Sequence, residues 1–306
     1  MFRHLLVPLD GSRTAEMVLP VARFFCETTG AAVTLLHVVE RHPRPTVHHE
    51  RHLTNAAEAK QYLEQIGRDA FPATAGIEYH VHDPGVGDVA RSITAHADEM
   101  QADLVALCTH GRGALSRFLF GTIAQQVLAT ASQPVLLVPH QLQQWEGPFA
   151  CRSILVPVDV GGGHEEGVSL ALDLAATCRA EVNLVAAVPT LGTLSTERAA
   201  AAQVLPTSAS MLLEIEQNEA YQELSRRMES ARKQGLQVKS ELVRGRVAEA
   251  IVEAAKRLKP DLIVMATHRR KGLDALMSGS VGAAICAASL VCLLIAPISP
   301  SAGTRA

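Results

Sequence analysis

The chain has 306 residues, of which 48% are hydrophobic, 19% charged and 4% aromatic, a composition typical of folded globular proteins and not of disordered chains. This length predicts two domains of about 150 residues, each able to bury its own core. The formal net charge of −3, with basic residues scattered along the chain, argues against sequence-independent binding to nucleic acid, which needs a concentrated basic face.

The elements predicted in the first half alternate between strand and helix. Runs of apolar residues predict strands and apolar residues at helical spacing predict helices. In chain order these are strand His4–Leu9, helix Arg13–Thr29, strand Ala32–Val39, helix Leu53–Ala70, strand Ile77–Val81, helix Val86–Met100, strand Leu104–Cys108, helix Thr122–Ala131 and strand Val135–Val138. Pro20 should kink the first helix or break one of its hydrogen bonds, and Gly30 is a suitable stop for it.

The second half repeats the first. The segment Pro8-Leu9-Asp10 returns as Pro157-Val158-Asp159, an offset of 149 residues. From Gly87 onward, which matches Gly245, the offset is 158, so nine residues are added in the middle of the second copy. Fixed self-similarity over this length indicates a duplicated domain. The strands of the second copy are expected near Ser153–Val158, Val182–Val188, Gln237–Val243, Leu262–Ala266 and Val291–Ile295.

Strands that alternate with helices predict an α/β fold: two tandem, doubly wound domains, each with a parallel sheet covered on both faces. We place the first domain at residues 1–140 and a linker at 141–150. The second domain then covers residues 151–298, followed by a tail at 299–306.

The cysteines and the apolar segments indicate the cellular compartment in which the protein is expected. The six cysteines form no CxxC pair and most lie in apolar surroundings, which favours buried side chains in a reducing compartment over a redox or metal site. The first apolar stretch, residues 5–9, is too short for a secretory signal. Residues 281–298 carry no charge, but their counterpart at 123–139 contains three glutamines and Pro134. Both are interpreted as a short helix and a buried strand, so we expect a cytoplasmic protein that binds no membrane.

Candidate binding residues follow the strands. In open parallel sheets ligands bind beyond the carboxyl ends of the strands, where the winding direction reverses. Asp10 follows the first strand, a glycine-containing loop follows Cys108, and Gly121-Thr122 opens a helix. Glycines let backbone N–H groups approach an anion, and a helix N-terminus supplies further donors. An ordinary loop-to-helix junction, with Asp10 as a turn or capping residue, fits the same pattern, and both interpretations stay open here.

Several motifs together resemble the universal stress protein family, and they cover nearly all of both halves, as in its tandem-domain members. They are Val7-Pro8-Leu9-Asp10, Leu36-His37-Val38-Val39, Asp103-Leu104-Val105, Thr109-His110-Gly111-Arg112, Gly121-Thr122 and the closing run Pro134–Pro139. The resemblance implies a five-stranded parallel sheet of the adenine nucleotide α-hydrolase-like type in each domain. In the nucleotide-binding branch it also implies an ATP site marked by Gly-x2-Gly-x9-Gly-Ser/Thr.

On that motif Cys108 occupies the first glycine position, Gly111 the second, Gly121 the third and Thr122 the hydroxyl position. The first glycine is therefore replaced by a residue with a side chain near the ribose. By the resemblance, Asp10 faces the adenosine and the backbone of Val38 the adenine edge. The residues assigned to the pocket floor and its wall are Pro8, Leu9 and Leu107, and those assigned to the phosphates are Gly111, Arg112, Gly121, Thr122 and Ile123.

The second copy departs further from the motif. Ala266 replaces the first glycine and Arg269 the second, so that only Gly279 and Ser280 remain, with Asp159 in the place of Asp10. An arginine at the second position either blocks the site or offers its guanidinium to a phosphate. We therefore expect the first domain to hold the main site and the second a weaker, degenerate one.

Histidines form two further groups. His42, His48, His49 and His52 cluster in one segment, where His48 and His52 could share a metal if the segment were helical. Without a carboxylate or cysteine at ligand spacing, a solvated loop is the favoured interpretation. His110 and His268 recur at matching positions, which fits a shared structural hydrogen bond better than a general base.

No Walker lysine motif and no nucleophile elbow occurs in the sequence, so nothing argues for fast catalysis. We expect a cytoplasmic stress-response protein that binds ATP, or else ADP or AMP, with Mg²⁺ in the first domain and uses occupancy as a regulatory signal. The alternative is a protein-interaction module with vestigial pockets. A third hypothesis, an ATP-consuming enzyme of the wider α-hydrolase-like group, lacks the serine- and glycine-rich loop it would need.

The last strand of each copy bears on assembly. Both strands, residues 134–138 and 291–295, are apolar, and by the resemblance they lie at sheet edges that pair between domains. Exposed edges of this kind require cover. We therefore predict that the two halves pair as a pseudo-dimer, with a homodimer of the whole chain as a further option.

Overall fold

A computed structural model describes residues 1–40, 46–47, 50–51, 53–109, 122–140, 147–159, 165–268, 285 and 291–298. The described residues divide into two compact units, with the boundary between Ala150 and Cys151. Residues 291–297 belong to the first unit, although they come from the second repeat of the sequence. The candidate residues 42, 48, 49, 52, 110–112, 121, 269, 279 and 280 lie outside the described residues, as do 141–146 of the linker and the tail.

The first repeat alternates strands and helices as the pattern predicted. Its elements are β1 (His4–Pro8), α1 (Arg13–Glu16), α2 (Leu19–Thr29), β2 (Ala32–Glu40), β3 (Thr46–Val47), β4 (Glu50–Arg51), α3 (Ala56–Ala70), β5 (Ile77–Val86), α4 (Val89–Glu99), β6 (Leu104–Thr109), α5 (Thr122–Thr130) and β7 (Val135–Pro139).

The second repeat follows the same order with a larger helical insertion. Its elements are β8 (Ser153–Val158), α6 (Glu165–Cys178), β9 (Glu181–Val188), α7 (Thr196–Val204), α8 (Pro206–Lys233), β10 (Val238–Arg244), α9 (Val247–Leu258), β11 (Leu262–His268) and β12 (Cys292–Ile298).

The sheets have the topology of doubly wound α/β domains, which confirms the predicted fold class. In the first unit the strand order is β12-β7-β6-β1-β2-β5, and the strands from β7 to β5 are parallel. In the second unit the described strands take the order β10-β9-β8-β11, all parallel. The final strands pair antiparallel, with Leu136 opposite Leu294. The pseudo-dimer inferred from these strands stays a prediction.

The core explains why apolar runs identified the strands. Strands β6 and β7 are buried over their whole length and β1 and β2 at all but their end residues. The side chains of Leu5, Leu6, Leu104, Leu136 and Leu137 have at most a trace of exposed surface. Covered on both faces, such strands have no polar side to alternate with. The apolar residues 292–298, part of the uncharged segment noted above, form the buried strand β12. Within the described ranges no helix is both long and apolar enough to cross a membrane.

Helix boundaries differ from the prediction at three places in the first repeat. The predicted helix 13–29 is two helices, and Pro20 lies in the first turn of α2, where its missing N–H leaves no hydrogen bond unmade. Helix α3 begins at Ala56 because the Asn55 side chain accepts hydrogen bonds from two backbone N–H groups of its first turn. Helix α4 begins at Val89 and not at Val86, because β5 stays paired with β2 up to Val86 and Asp88 caps the helix.

The insertion in the second repeat lengthens one helix. Helix α8 has 28 residues, against 15 in α3, its counterpart in the first repeat. The guanidinium of Arg227, on the buried face of α8, donates to Glu223 on the same helix and, at 2.8 Å, to Glu165 at the start of α6. This buried arginine therefore ties α8 to α6.

Candidate functional site

The first unit has a topological switch point at the carboxyl ends of β1 and β6. From β1 the chain adds β2 and β5 on one side, then returns to place β6 and β7 on the other. Strands β1 and β6 are direct neighbours, with Leu5 opposite Leu104. Crevices at such reversals are the usual ligand sites of open parallel sheets. Asp10 follows β1, and Cys108 and Thr109 end β6.

The turn after β1 is built around Asp10. Its carboxylate, which is half-buried, accepts hydrogen bonds from the Ser12 backbone N–H at 2.9 Å and from the Ser12 hydroxyl at 2.6 Å. Ser12 in turn caps α1 by accepting from the Ala15 N–H at 3.1 Å. The turn role proposed for Asp10 from the sequence is therefore present, whereas the residue that caps the helix is Ser12. The turn also holds the carboxylate just beyond the carboxyl end of β1.

Two contacts from distant parts of the chain fix this turn. Gly11 has φ +91°, and a Cβ atom there would lie 2.8 Å from the Leu53 side chain, so only glycine fits. The buried His37 ring has Nδ1 2.8 Å from the Leu9 carbonyl oxygen and Nε2 3.3 Å from the Leu53 carbonyl oxygen. The Leu9 N–H donates to the Leu36 carbonyl at 2.8 Å. The loop that carries Asp10 is thus locked onto β2 and onto the segment before α3.

Cys108 lies near the end of the neighbouring strand, β6. Its side chain is buried in β6, next to the equally buried Leu107. Burial, and to a smaller extent the negative charge of Asp10, raises the pKa of the Cys108 thiol to about 12. The thiol therefore stays protonated at neutral pH, which makes it a small uncharged surface and not a nucleophile. Because the Asp10 charge contributes to this pKa, the residues that follow β1 and end β6 are close enough to interact.

The other predicted residues of the first site fall into three groups. Val38 and Leu9 are buried near the ends of β2 and β1, and Pro8 is half-buried. Thr122 and Ile123 are the exposed first two residues of α5, and Ile123 keeps 37% of its surface exposed. The loop residues Gly111, Arg112 and Gly121 lie outside the described residues.

The matching edge of the second unit is built differently. Asp159 is exposed after β8. Ala266 is buried in β11 beneath α6, because a Cβ atom on Gly167 of that helix would lie 2.7 Å from the Ala266 backbone nitrogen. The close approach of helix to strand covers the position that corresponds to the first glycine of the motif. Arg269, Gly279 and Ser280 lie outside the described residues.

The second unit also has a cavity that the sequence did not predict. It encloses about 440 Å³ beyond the carboxyl ends of β9 and β10, and Thr190, Glu214 and Arg244 contribute polar groups to its lining. The Arg244 guanidinium donates to the Gln217 amide oxygen on α8. This cavity depends on the inserted helices, so no motif in the first repeat could have indicated it.

Three histidines that the sequence analysis did not single out lie together in the first unit. The ligating nitrogens of His80, His82 and His96 all lie within 4.8 Å of one another. They are the metal-ligand group found among the described residues. The signal that could have revealed them is His80-x-His82 on a strand, where alternate side chains share a face. The His42 to His52 cluster and His110 lie outside the described residues, and nothing is described of the His268 side chain.

Comparison with known proteins agrees with this architecture. The pattern of the family described as "Universal stress protein family" matches residues 1–139 and 151–297. A universal stress protein of Synechocystis sp. is 30% identical over 143 residues, which are 45% of this chain and 87% of that protein. Another, from Thermus aquaticus, is 30% identical over 139 residues, which are 45% of this chain and 99% of that protein.

Solved structures share the fold over nearly the whole chain. A protein of Pseudomonas aeruginosa PAO1, described as functionally unknown, has a TM-score of 0.68 at 17% identity, with 97% of this chain and 93% of that chain covered. A universal stress protein of Archaeoglobus fulgidus has a TM-score of 0.64 at 16% identity, with 96% of both chains covered. At these identities the likeness shows the tandem fold alone. The family pattern, matched once in each repeat, shows that the chain belongs to the universal stress protein family.

Proposed function

We propose that this protein binds ATP with Mg²⁺ at the switch point of its first unit, and that occupancy of this site is a regulatory signal in a cytoplasmic stress response. ADP and AMP, which share the adenosine, are the alternative ligands. Hydrolysis is expected to be slow and incidental, because the sequence contains no Walker lysine motif.

The observation that carries the proposal is the meeting of Asp10 with Cys108 across the switch point. Asp10 is positioned by the Ser12 turn, by Gly11 and by His37 behind it, and its charge reaches the Cys108 thiol. A fixed carboxylate at the end of a parallel strand is suited to accept hydrogen bonds from ribose hydroxyls. Because the Cys108 thiol beside it is uncharged, it adds no second negative charge next to the ribose.

The phosphate side rests on α5 and on the sequence before it. Helix α5 begins at Thr122, and its first two residues are exposed. The free N–H groups and the dipole of a helix N-terminus favour phosphate, and a threonine hydroxyl there can bind phosphate or Mg²⁺. Gly111 and Gly121 would let backbone N–H groups approach, and Arg112 would add a positive charge.

A single ligand per chain is expected. In the second unit Asp159 is exposed, whereas Asp10 is half-buried in a hydrogen-bonded turn. Arg269 stands where the motif has its second glycine. We therefore propose that the second site is degenerate.

The test begins with protein purified without added nucleotide, which is then denatured so that released small molecules can be identified by chromatography and mass spectrometry. We expect about one adenine nucleotide per chain, or one Mg-ATP per chain by calorimetry if the protein is purified empty. The matched variants are Asp10→Asn, expected to weaken binding, and Asp159→Asn, expected to leave it unchanged. Two nucleotides per chain would contradict the degenerate second site.

A second candidate function is a protein-interaction module without a nucleotide. The observation that favours it is the apolar surface of the inserted helices, where Val204 is 78% exposed and Leu205 62% exposed. Met211, Leu212 and Ile215 on α8 are also more than half or nearly half exposed, at 59%, 55% and 49%. No released nucleotide together with no binding of Mg-ATP would favour this function over the first.

A further inference from the structure

The three histidines of the first unit converge from two elements that pack together. His80 and His82 alternate along β5, so their side chains project from one face of the sheet. His96 projects from α4, the helix that follows β5. The ring centroids of His80 and His82 lie 4.8 Å and 4.5 Å from that of His96. All three ligating nitrogens lie within 4.8 Å of one another.

The positions are fixed by regular structure and not by a loop. On β5, His80 pairs with Leu36 and His82 with Val38 of β2. Helix α4 begins at the Asp88 cap and carries His96 on its buried face. Ligand sites built on strands and helices hold their geometry better than sites built on loops.

His96 is oriented as metal-binding histidines usually are. Its Nδ1 lies 2.8 Å from the carbonyl oxygen of Ser92, one turn earlier on α4. A carbonyl only accepts, so Nδ1 carries the proton and Nε2 keeps its lone pair. A backbone carbonyl that holds one ring nitrogen in this way fixes the tautomer and orients the other nitrogen toward a metal.

The environment favours the neutral form that a metal requires. Burial, followed by the charges of His96 and His82, lowers the pKa of His80, and only Glu99 acts in the opposite direction. Three imidazole rings at this separation cannot all be protonated without strong repulsion.

A buried hydroxyl on the same helix face lacks a partner. The Ser92 Oγ has no hydrogen-bond partner among the described residues. Ser92 precedes His96 by one helical turn, so the two side chains lie on the same side of α4. Buried polar atoms without partners are rare in native proteins and call for a specific explanation. A water bound to a metal at the histidines would supply one.

The second repeat shows that the fold does not require these histidines. Strand register places Glu241, opposite Val185, where the first repeat has His80, and places Val243, opposite Ala187, where it has His82. The residue that matches His96 is Ala254. In place of a histidine cluster the second unit has an ion pair, with Arg257 2.6 Å from Glu241. The same fold is therefore stable without any imidazole at these positions.

We propose that His80, His82 and His96 form a binding site for a divalent transition metal ion, Zn²⁺ in particular, with three nitrogen ligands and a water in the fourth position. Imidazole nitrogens suit Zn²⁺, and three histidines with an open position form a recognised tetrahedral zinc site. Zn–N bonds of about 2.0–2.1 Å bring the nitrogens of a tetrahedral site to about 3.4 Å from one another. The half-buried rings of His80 and His82 can make this adjustment by side-chain rotation, while His96 stays held by Ser92.

The site is tested on the full chain, free of any polyhistidine tag, stripped of metal and kept without nucleotide. Zn²⁺ is titrated in competition with a chromophoric chelator and an excess of Mg²⁺, and Co²⁺ replaces it as a spectroscopic probe. We expect one Zn²⁺ per chain and the visible absorption of tetrahedral Co²⁺. The His80→Gln/His82→Gln variant should lose at least about 100-fold in affinity, because even second-shell changes cost about 10- to 100-fold.

Two variants complete the test. His96 is buried, so His96→Gln is interpreted only if its circular dichroism matches the wild type, whereas the two half-buried positions carry the main result. The control replaces His42, His48, His49 and His52 together by glutamine, and its affinity for Zn²⁺ should equal that of the wild type. The proposal is overturned if the wild type binds Zn²⁺ no more tightly than His80→Gln/His82→Gln, or if only the control variant loses the metal. Because no nucleotide is present, neither result depends on the proposed ATP site.

Discussion

The two repeats share their strand register but not the residues at the carboxyl ends of their strands. Pro8 pairs with Leu36 in the first unit, just as Pro157 pairs with Val185 in the second. Beyond β1 the carboxylate of Asp10 is half-buried in a hydrogen-bonded turn, whereas Asp159 beyond β8 is exposed. The buried apolar strands therefore form the same architecture in both repeats, whereas the polar residues at the carboxyl ends of the strands differ between them.

The same contrast recurs on the helix face of β5 and β10. Where the first unit collects three histidines, the second has the ion pair of Arg257 with Glu241. Strand register places both arrangements at equivalent positions of the same fold. The core of the fold therefore does not dictate the residues at these positions, which can differ with function. Each repeat then serves as a control for the other.

The largest effect is expected from copying the second repeat into the first. Gly111→Arg introduces the residue that Arg269 supplies in the second copy, at a position where backbone should approach a phosphate. We expect the affinity for Mg-ATP to fall at least about 100-fold, or about 2.7 kcal/mol, with the fold unchanged. Calorimetric titration with Mg-ATP measures the affinity, and circular dichroism checks the fold.

The converse variant, Arg269→Gly, is the control for this change. Because Asp159 stays exposed, whereas Asp10 is held in a hydrogen-bonded turn, this variant should add no second nucleotide and leave the first affinity as it is. If Gly111→Arg bound Mg-ATP as tightly as the wild type, the loop after β6 would not be the phosphate site.

An effect of similar size, on stability and not on binding, is expected at the turn around Asp10 in the first unit. Gly11→Ala forces an L residue to φ +91° and places its Cβ 2.8 Å from the Leu53 side chain. Left-handed backbone costs about 1–2 kcal/mol and overpacking about 1–3 kcal/mol, so the free energy of unfolding should fall by about 2–5 kcal/mol. Urea denaturation followed by circular dichroism gives the value.

Gly30→Ala separates the two causes. Gly30 also has positive φ, +70°, but no atom lies within 4 Å of the Cβ it would gain. This variant should therefore lose only about 1–2 kcal/mol, the cost of the backbone conformation. Equal losses in the two variants would mean that Leu53 does not restrict the turn.

The sequence predicts the central strands well, because their apolar runs are buried on both faces. The predicted strand 32–39 corresponds to β2, which is Ala32–Glu40. It predicts β5 poorly: the strand extends to Val86 through polar residues, since its pairing is set by β2 and not by its own hydrophobicity. The break between α1 and α2 is likewise only partly visible, as a proline that allowed either a kink or a lost hydrogen bond.

For the candidate site, the sequence predicts what depends on neighbouring residues and does not predict contacts between residues far apart in the chain. The role of Asp10 as a turn residue follows from the neighbouring Gly11 and Ser12. The contacts of Leu53 and His37 with that turn depend on tertiary packing, so no local pattern could reveal them. The histidine group likewise combines residues of a strand and a helix. The i, i+2 spacing of His80 and His82 indicates a shared face of the strand, but no local pattern connects His96 with them.

Two cysteines give opposite pH dependences in the two units. The folded state raises the pKa of Cys108 to about 12, chiefly by burial, whereas a hydrogen bond from Cys151 lowers the pKa of Cys178. Above the ordinary thiol value of 9.0 the unfolded chain loses the Cys108 proton and the folded chain keeps it, so stability falls as pH rises. For Cys178 the contribution is present above 9.0 and is lost as pH falls through its lowered folded pKa.

Denaturation at several pH values between about 8 and 10.5 tests the signs of these two contributions. Relative to the wild type, Cys108→Ala should remove a decline that approaches about 1.4 kcal/mol per pH unit well above pH 9. Cys178→Ala should instead remove a rise in stability with pH. A Cys108→Ala curve parallel to that of the wild type would mean that the thiol is not buried beside Asp10.

The smallest effect is expected in α8, the helix that most distinguishes the second repeat. Hydrogen bonds from Arg226 and, secondarily, from Arg227 lower the pKa of Glu223 below its ordinary 4.5. Its contribution to stability is therefore present above pH 4.5 and is lost as pH falls through the lowered folded pKa. Because the pair is partly exposed, Glu223→Gln should cost roughly 0.5–1 kcal/mol at neutral pH.

Glu229→Gln, on the same helix but with its carboxylate 71% exposed beside Lys233, is the control and should cost nothing measurable. If the difference between wild type and Glu223→Gln persisted unchanged at pH 3, the arginines would stabilise α8 through packing of their side chains and not through the Glu223 charge.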